Sequence, residues 1–108
     1  MDYRYIVVLI TVPSVEVGEA IAQTLLEKRL AACVNRLAPM HSLYTWEGKT
    51  STDEELLLIV KSRADLFADQ LVPAVKAVHP YQVPEIIALP VVLGSPDYLD
   101  WIDSVTGD

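Results

Sequence analysis

The residues best equipped for chemistry fall in one short run, His79-Pro80-Tyr81-Gln82-Val83-Pro84-Glu85. A neutral imidazole suits Cu, Ni or Zn, and Tyr81 and Glu85 are near enough in sequence for all three side chains to face a common cleft. The two prolines fix their own φ and restrict the residues before them, so the loop is stiff. The alternative is that His79 and Glu85 simply satisfy backbone groups and one another at a loop or subunit boundary, because an isolated His is a poor metal signature. Cys33, the single cysteine, is a soft copper ligand in principle. Between Ala32 and Val34, at the start of a core strand, it reads instead as a small buried hydrophobe. Met40 falls on the opposite face of a regular strand from Cys33 unless Pro39 introduces a bulge. Lys61 has two readings: it binds an anion in a cleft, or it pairs with Glu85, which is the favoured one. Asp53, Glu54 and Glu55 alternate faces and build no cage for a hard cation. Asp97, Asp100 and Asp103 read as the solvated side of a helix. There is no nucleophile elbow, no glycine-rich phosphate loop and no His pair at metal-ligand spacing, so the chain does not read as an enzyme.

These groups are positioned by a long β-hairpin. Cys33 to Trp46 has the β-branched and aromatic content of a strand, Glu47-Gly48 is a two-residue turn, and Lys49 to Lys61 returns. That turn sets Trp46 opposite Lys49, Tyr44 opposite Ser51 and His41 opposite Glu54. About 14 residues at ~3.3 Å each make an arm of roughly 46 Å, longer than the ~33 Å diameter of a compact domain of this size. The arm must bend at Pro39 or overhang. A tip carrying Tyr44 and Trp46 among polar residues looks made for another subunit, and Trp101 in the last helix joins them as expected interface packing.

Around the hairpin, Tyr3–Thr11 reads as a central strand. Ser14 caps a helix over Val15–Arg29 whose stripe is Val17, Ala20, Ile21, Leu25 and Leu26. Ser62 with Asp65 marks a second helix start, its stripe being Phe67, Leu71, Ala74, Val75 and Val78, with a kink or early break at Pro73. Ile86–Leu93 is a last strand, and Pro96 opens a short helix to about Val105. The order β-α-β-β-α-β plus a terminal helix is the ferredoxin-like α+β arrangement, one domain over residues 1–108, with an antiparallel sheet and two helices on one face. The other face would be exposed in a monomer, a second reason to expect a homo-oligomer.

The composition excludes some partners. Fifteen acidic against eight basic residues give −7, which argues against nucleic acid and anionic membranes. No export signal or membrane-spanning run is evident, and with one cysteine a cytoplasmic protein is the simplest expectation.

The motifs LAACVN, S-L-Y-x-W-E-G-K, E-x-x-L-x-x-K, H-P-Y-Q-V-P-E-I and Y-L-D-W-I, in that order over nearly the whole chain, resemble the divalent-cation tolerance family CutA. The resemblance implies a ferredoxin-like subunit, a homotrimer interlocked through the hairpin and similar to the PII signalling proteins, unusual heat stability in many members, and tolerance to copper and other divalent metals. No obligatory cofactor is implied. The copper site proposed for the family draws on a Cys before the T-x-P motif and a His-His pair before Pro-Tyr; here Ile10 and Val78 take two of those places, leaving His79. Three functions are consistent with this: copper binding by the trimer, a PII-like sensor holding a small anion between subunits through Lys61, Tyr81 and Glu85, or a structural trimer.

Overall fold

The computed structural model describes residues 3–108, and its spine is the fifteen-residue strand β4 (Lys49–Arg63). At its apolar end β4 pairs with β1 (Tyr5–Val12) on one side and β2 (Cys33–Arg36) on the other. At its polar end it pairs with β3 (Met40–Trp46). β5 (Ile86–Pro90) adds to the free side of β1, giving the order β2-β4-β1-β5 with every pairing antiparallel. With α1 (Val15–Glu27), α2 (Val72–Val78) and α3 (Pro96–Val105), this is the expected ferredoxin-like order with a terminal helix. The long dimension is 44 Å against 28 and 26 Å, as an overhanging arm requires.

Alternation along the central strands sorts the two faces. Ile6, Val8, Ile10 and Val12 of β1 and Leu56, Leu58 and Val60 of β4 are buried together with Ile21, Leu25, Leu71 and Val75 from the helices. The stripe of α1 is therefore Gly18, Ile21 and Leu25, while Leu26 is exposed and Ala20 faces solvent. Gly18 is where the helix comes nearest the sheet: a Cβ there would meet Val12 at 3.4 Å and Leu58 at 3.5 Å. The opposite sheet face carries Val7, Leu9, Leu57, Ile59, Ile87 and Leu89 in adjoining register positions. Ile87 and Leu89 are half exposed.

The hairpin turns where the sequence places it. Glu47 and Gly48 have φ of 51° and 78°, the two left-handed residues of a type I′ turn. Trp46, Tyr44 and His41 oppose Lys49, Ser51 and Glu54 as expected. The outgoing strand is not continuous, however, but divides into β2 and β3 around Leu37, Ala38 and Pro39. Between Arg36, opposite Leu58, and Met40, opposite Glu55, three residues face two. This is a bulge at the proline, which has no N–H to give the ladder.

Two helix expectations are corrected. Ser62 does not start the second helix: β4 runs through it to Arg63, and its buried hydroxyl donates to the Leu30 carbonyl at 2.5 Å. A 3₁₀ turn (Ala64–Leu66) and a π turn (Phe67–Leu71) follow, and α2 begins only beside Pro73, where a missing N–H costs least. Val78 is exposed rather than part of the buried stripe. The last strand stops at Pro90, short of Leu93. At the end of α1, Arg29 takes the left-handed position usually held by glycine (φ 58°), with Leu30 N–H bonded to the Leu25 carbonyl at 2.8 Å. The Arg29 guanidinium donates to the carbonyls of Gly107 and Ser104, which holds the chain end against α1.

The helix α3 crosses one end of the open face. Asp103 is not a solvated residue there, since it accepts from Arg4 at 2.7 Å and from the Tyr5 hydroxyl at 2.5 Å. The Arg4 guanidinium, then the Tyr5 hydrogen bond, hold its carboxyl below the usual Asp range. A depressed folded-state pKa means that the link stabilises above the unfolded value of about 3.9 and is lost as pH falls through the lower native value. The carboxyl shift of Asp103 should thus titrate below that of a free Asp, and α3 should loosen only on acidification past that midpoint. A midpoint at the free value would remove the link.

Candidate functional site

A cleft of about 800 Å³ opens on the sheet face away from the helices, at the root of the arm. Its floor is Leu9, Thr11 and Leu57. Met40, Ser42, Tyr44 and Trp46 line the arm side, and the loop from Pro80 to Glu85 closes the other. Antiparallel register puts these β3 side chains on the same face as Glu55, because Met40 and Glu55 are direct partners.

The loop is held by His79, which is buried at 7% exposure. Its Nδ1 accepts the Tyr81 N–H at 3.2 Å, which leaves the ring proton on Nε2, and Nε2–H donates to the Thr11 carbonyl at 2.8 Å. Both nitrogens are used, and no lone pair is left for a metal. The Tyr81 ring packs on the imidazole at 4.7 Å between centroids, and its hydroxyl donates to Glu55 Oε2 at 2.8 Å. Burial, with help from the Glu55 bond, pushes the Tyr81 phenol far above its ordinary value, so it stays a donor throughout the physiological range. Nearer the tip, the Tyr44 hydroxyl donates to Asp53, which raises the Tyr44 phenol.

The residues singled out in the sequence divide accordingly. Tyr81 and Glu85 both line the cleft, together with Tyr44 and Trp46. His79 stands behind it as a brace. Lys61 is elsewhere: it lies opposite Cys33 and Val7 in register, and its ammonium donates to Asn35, not to Glu85. Cys33 is half buried, with its thiol 3.8 Å from Asn35 Oδ1. The bulge returns Met40 to the same face as Cys33, but their partners on β4, Glu55 and Lys61, are six residues apart, or about 20 Å. Ile10 is wholly buried in the helix-side core and Val78 is on the surface, so neither is near a ligand set. No group of three His, Cys, Asp or Glu side chains converges among the described residues. Glu55 was the residue missed. It stands where the polar half of β4 meets the apolar half, and that boundary was the signal that one carboxylate would be carried under cover.

A family model described as "CutA1 divalent ion tolerance protein" matches residues 6–105. The chain belongs to this family. The divalent-cation tolerance protein CutA of Thermus thermophilus is 54% identical over 101 residues, covering 94% of this chain and 97% of that protein. Its solved structure superposes with a TM-score of 0.92 over 95% of this chain and 99% of that one, at 52% identity. CutA1 from Oryza sativa gives 0.93 at 46% identity, covering 98% and 96%. The chain spans 56% of the longer chloroplastic rice relative, to which it is 48% identical over 94% of its own length. The family is named for tolerance to divalent cations, not for a catalysed reaction.

Proposed function

We propose that this CutA chain is the protomer of a non-enzymatic homotrimer that acts in divalent-cation tolerance, and that the assembled surface, not a ligand cage within one chain, is what meets the ions. The observation that carries this is the open sheet face, where Leu9, Leu57, Ile59, Ile87 and Leu89 form an apolar strip continuous with the aromatic arm. An uncovered strip of this kind is ordinarily buried against another chain, and the family resemblance supplies the number three. Copper remains the expected ion, in weak contact with exposed carboxylates, because His79 has no free nitrogen. The compartment proposed is the cytoplasm, on the strength of the lone Cys33; the rice relative is named chloroplastic and an Archaeoglobus fulgidus one periplasmic.

Titrating divalent copper into the metal-free protein, with molecular mass read by light scattering on the same samples, tests both parts. The expected result is a trimer giving weak heats that are identical for wild type, His79→Ala and Cys33→Ala. Saturable binding near one ion per chain that disappears in His79→Ala would show that the imidazole leaves Thr11 for the metal. A monomeric mass would sink the assembly. The alternative reading, a small anion held between subunits, would draw on a neighbouring copy, because Lys61 lies outside the cleft within one chain.

A further inference from the structure

β4 is unbroken from Lys49 to Arg63, so its odd-numbered residues share one face along its whole length. That face carries cations at both ends, Lys49 at the tip and Lys61 with Arg63 at the base, and the acids Asp53 and Glu55 between them. Within the chain the base cations are taken: Lys61 donates to Asn35, and Arg63 to Asp65 and the Thr106 carbonyl. The two acids accept from neutral donors, the Tyr44 and Tyr81 hydroxyls. Glu55 is 6% exposed, and among the described residues no ion pair includes it or Lys49. Six residues of extended strand, about 20 Å, keep these two apart in one chain. Enclosing a carboxylate without a counter-charge is costly, and a copy that covers the cleft encloses Glu55 further.

We propose that this counter-charge is Lys49 of the next copy: the tip of each arm docks at the root of its neighbour's, with the Lys49 stem on the Leu9–Leu57 floor and its ammonium at Glu55. This rests on the homo-oligomer reading and adds a direction to it. An arm face positive at the tip and negative at the root fits a neighbour placed tip on root. It rejects one aligned tip to tip, which would set Lys49 against Lys49. Head-to-tail contacts close into a ring where every copy gives one tip and receives one, so no Glu55 is left over. Lysine suits the entry, because its four-carbon stem lies along apolar surface while its three N–H donors fill the capacity that Tyr81 leaves unused on the carboxylate. No cation of the same chain competes, since no Lys or Arg lines the cleft.

The test is a double-mutant cycle read by sedimentation over a dilution series at neutral pH. Lys49→Met and Glu55→Gln, whose amide oxygen still accepts from Tyr81, should each raise the concentration at which the oligomer half-dissociates by roughly tenfold or more. The double variant should be little worse than either single one, because both remove the same pair, and Lys49→Arg should stay near wild type. Should Glu55→Gln not fold, carbodiimide coupling of wild-type protein mixed from isotopically light and heavy chains decides: a Lys49–Glu55 amide joining light to heavy supports the pair, and its absence among the recovered crosslinks overturns it. Single effects that multiply in the double variant, or a Lys49→Met midpoint equal to wild type, overturn the pair while leaving the assembly standing. A wild type that is monomeric throughout removes the assembly itself, and the pair with it.

Discussion

Replacing His79 by alanine is expected to cost about 2–4 kcal/mol of stability while leaving any copper binding unchanged. The imidazole joins two parts of the molecule: the end of β1 through the Thr11 carbonyl, and the loop through the Tyr81 N–H and a tilted contact with the Tyr81 ring. Alanine leaves a buried carbonyl and a part-buried N–H without partners, and opens a void beneath Tyr81. Leaving a buried polar group unsatisfied costs about 1–3 kcal/mol on its own, and the cavity adds to it. The Tyr81–Glu55 bond should weaken as well, because the loop that aims the phenol has lost its brace. The check is a denaturant melt at fixed protein concentration, since the proposed subunit association would make apparent stability depend on concentration. A midpoint unchanged from wild type would mean that the two hydrogen bonds contribute nothing.

Charging the tip should have the largest effect on assembly. Tyr44 and Trp46 are 41% and 43% exposed and lie on the face that continues the open sheet, while Leu43, 70% exposed, projects from the other side. Aromatic anchors at the centre of an interface commonly contribute 2 kcal/mol or more each. The double substitution Tyr44→Lys and Trp46→Glu would add the burial of two charges, so the proposed trimer should give way to monomer at micromolar concentration. Sedimentation or light scattering reads this directly. A trimer of unchanged mass would show that the tip is not the clasp and that the sheet face alone holds the copies together. Circular dichroism should be unaltered in either case, because the tip contributes nothing to the helix-side core.

What could be read from the sequence was what local chemistry dictates. A Glu-Gly turn fixes its own register, so the partners of Trp46, Tyr44 and His41 followed from it, and Pro39 marked the place where the ladder could bend or bulge. The same holds for Ser14, whose hydroxyl accepts the Val17 N–H at 3.2 Å as a cap should. Ser62 failed the same rule: next to Asp65 it imitates a cap, but the Leu30 carbonyl, 32 residues away in the chain, claims its hydroxyl. Asp103 and Lys61 were misjudged for the same reason. Arg4 and Asn35 are remote in sequence and adjacent only once the sheet is built. Glu55 was hidden by its company, since among three acidic residues that alternate faces and build no cation cage nothing marks one of them until the loop carrying Tyr81 is laid across it.

The extra residue at Pro39 separates two constraints that would otherwise collide. The base of the hairpin takes its pairing from the core, through Cys33 opposite Lys61, and the tip takes its pairing from the turn, through Trp46 opposite Lys49. Counted along the chain, the two pairings are one residue out of step, and the bulge acts as an expansion joint between them. The tip is thus a separable module. Shortening both strands beyond Met40 by two residues, or exchanging the tip for that of a relative, should leave the base in place, so partner choice at the arm can change without any renegotiation with the core.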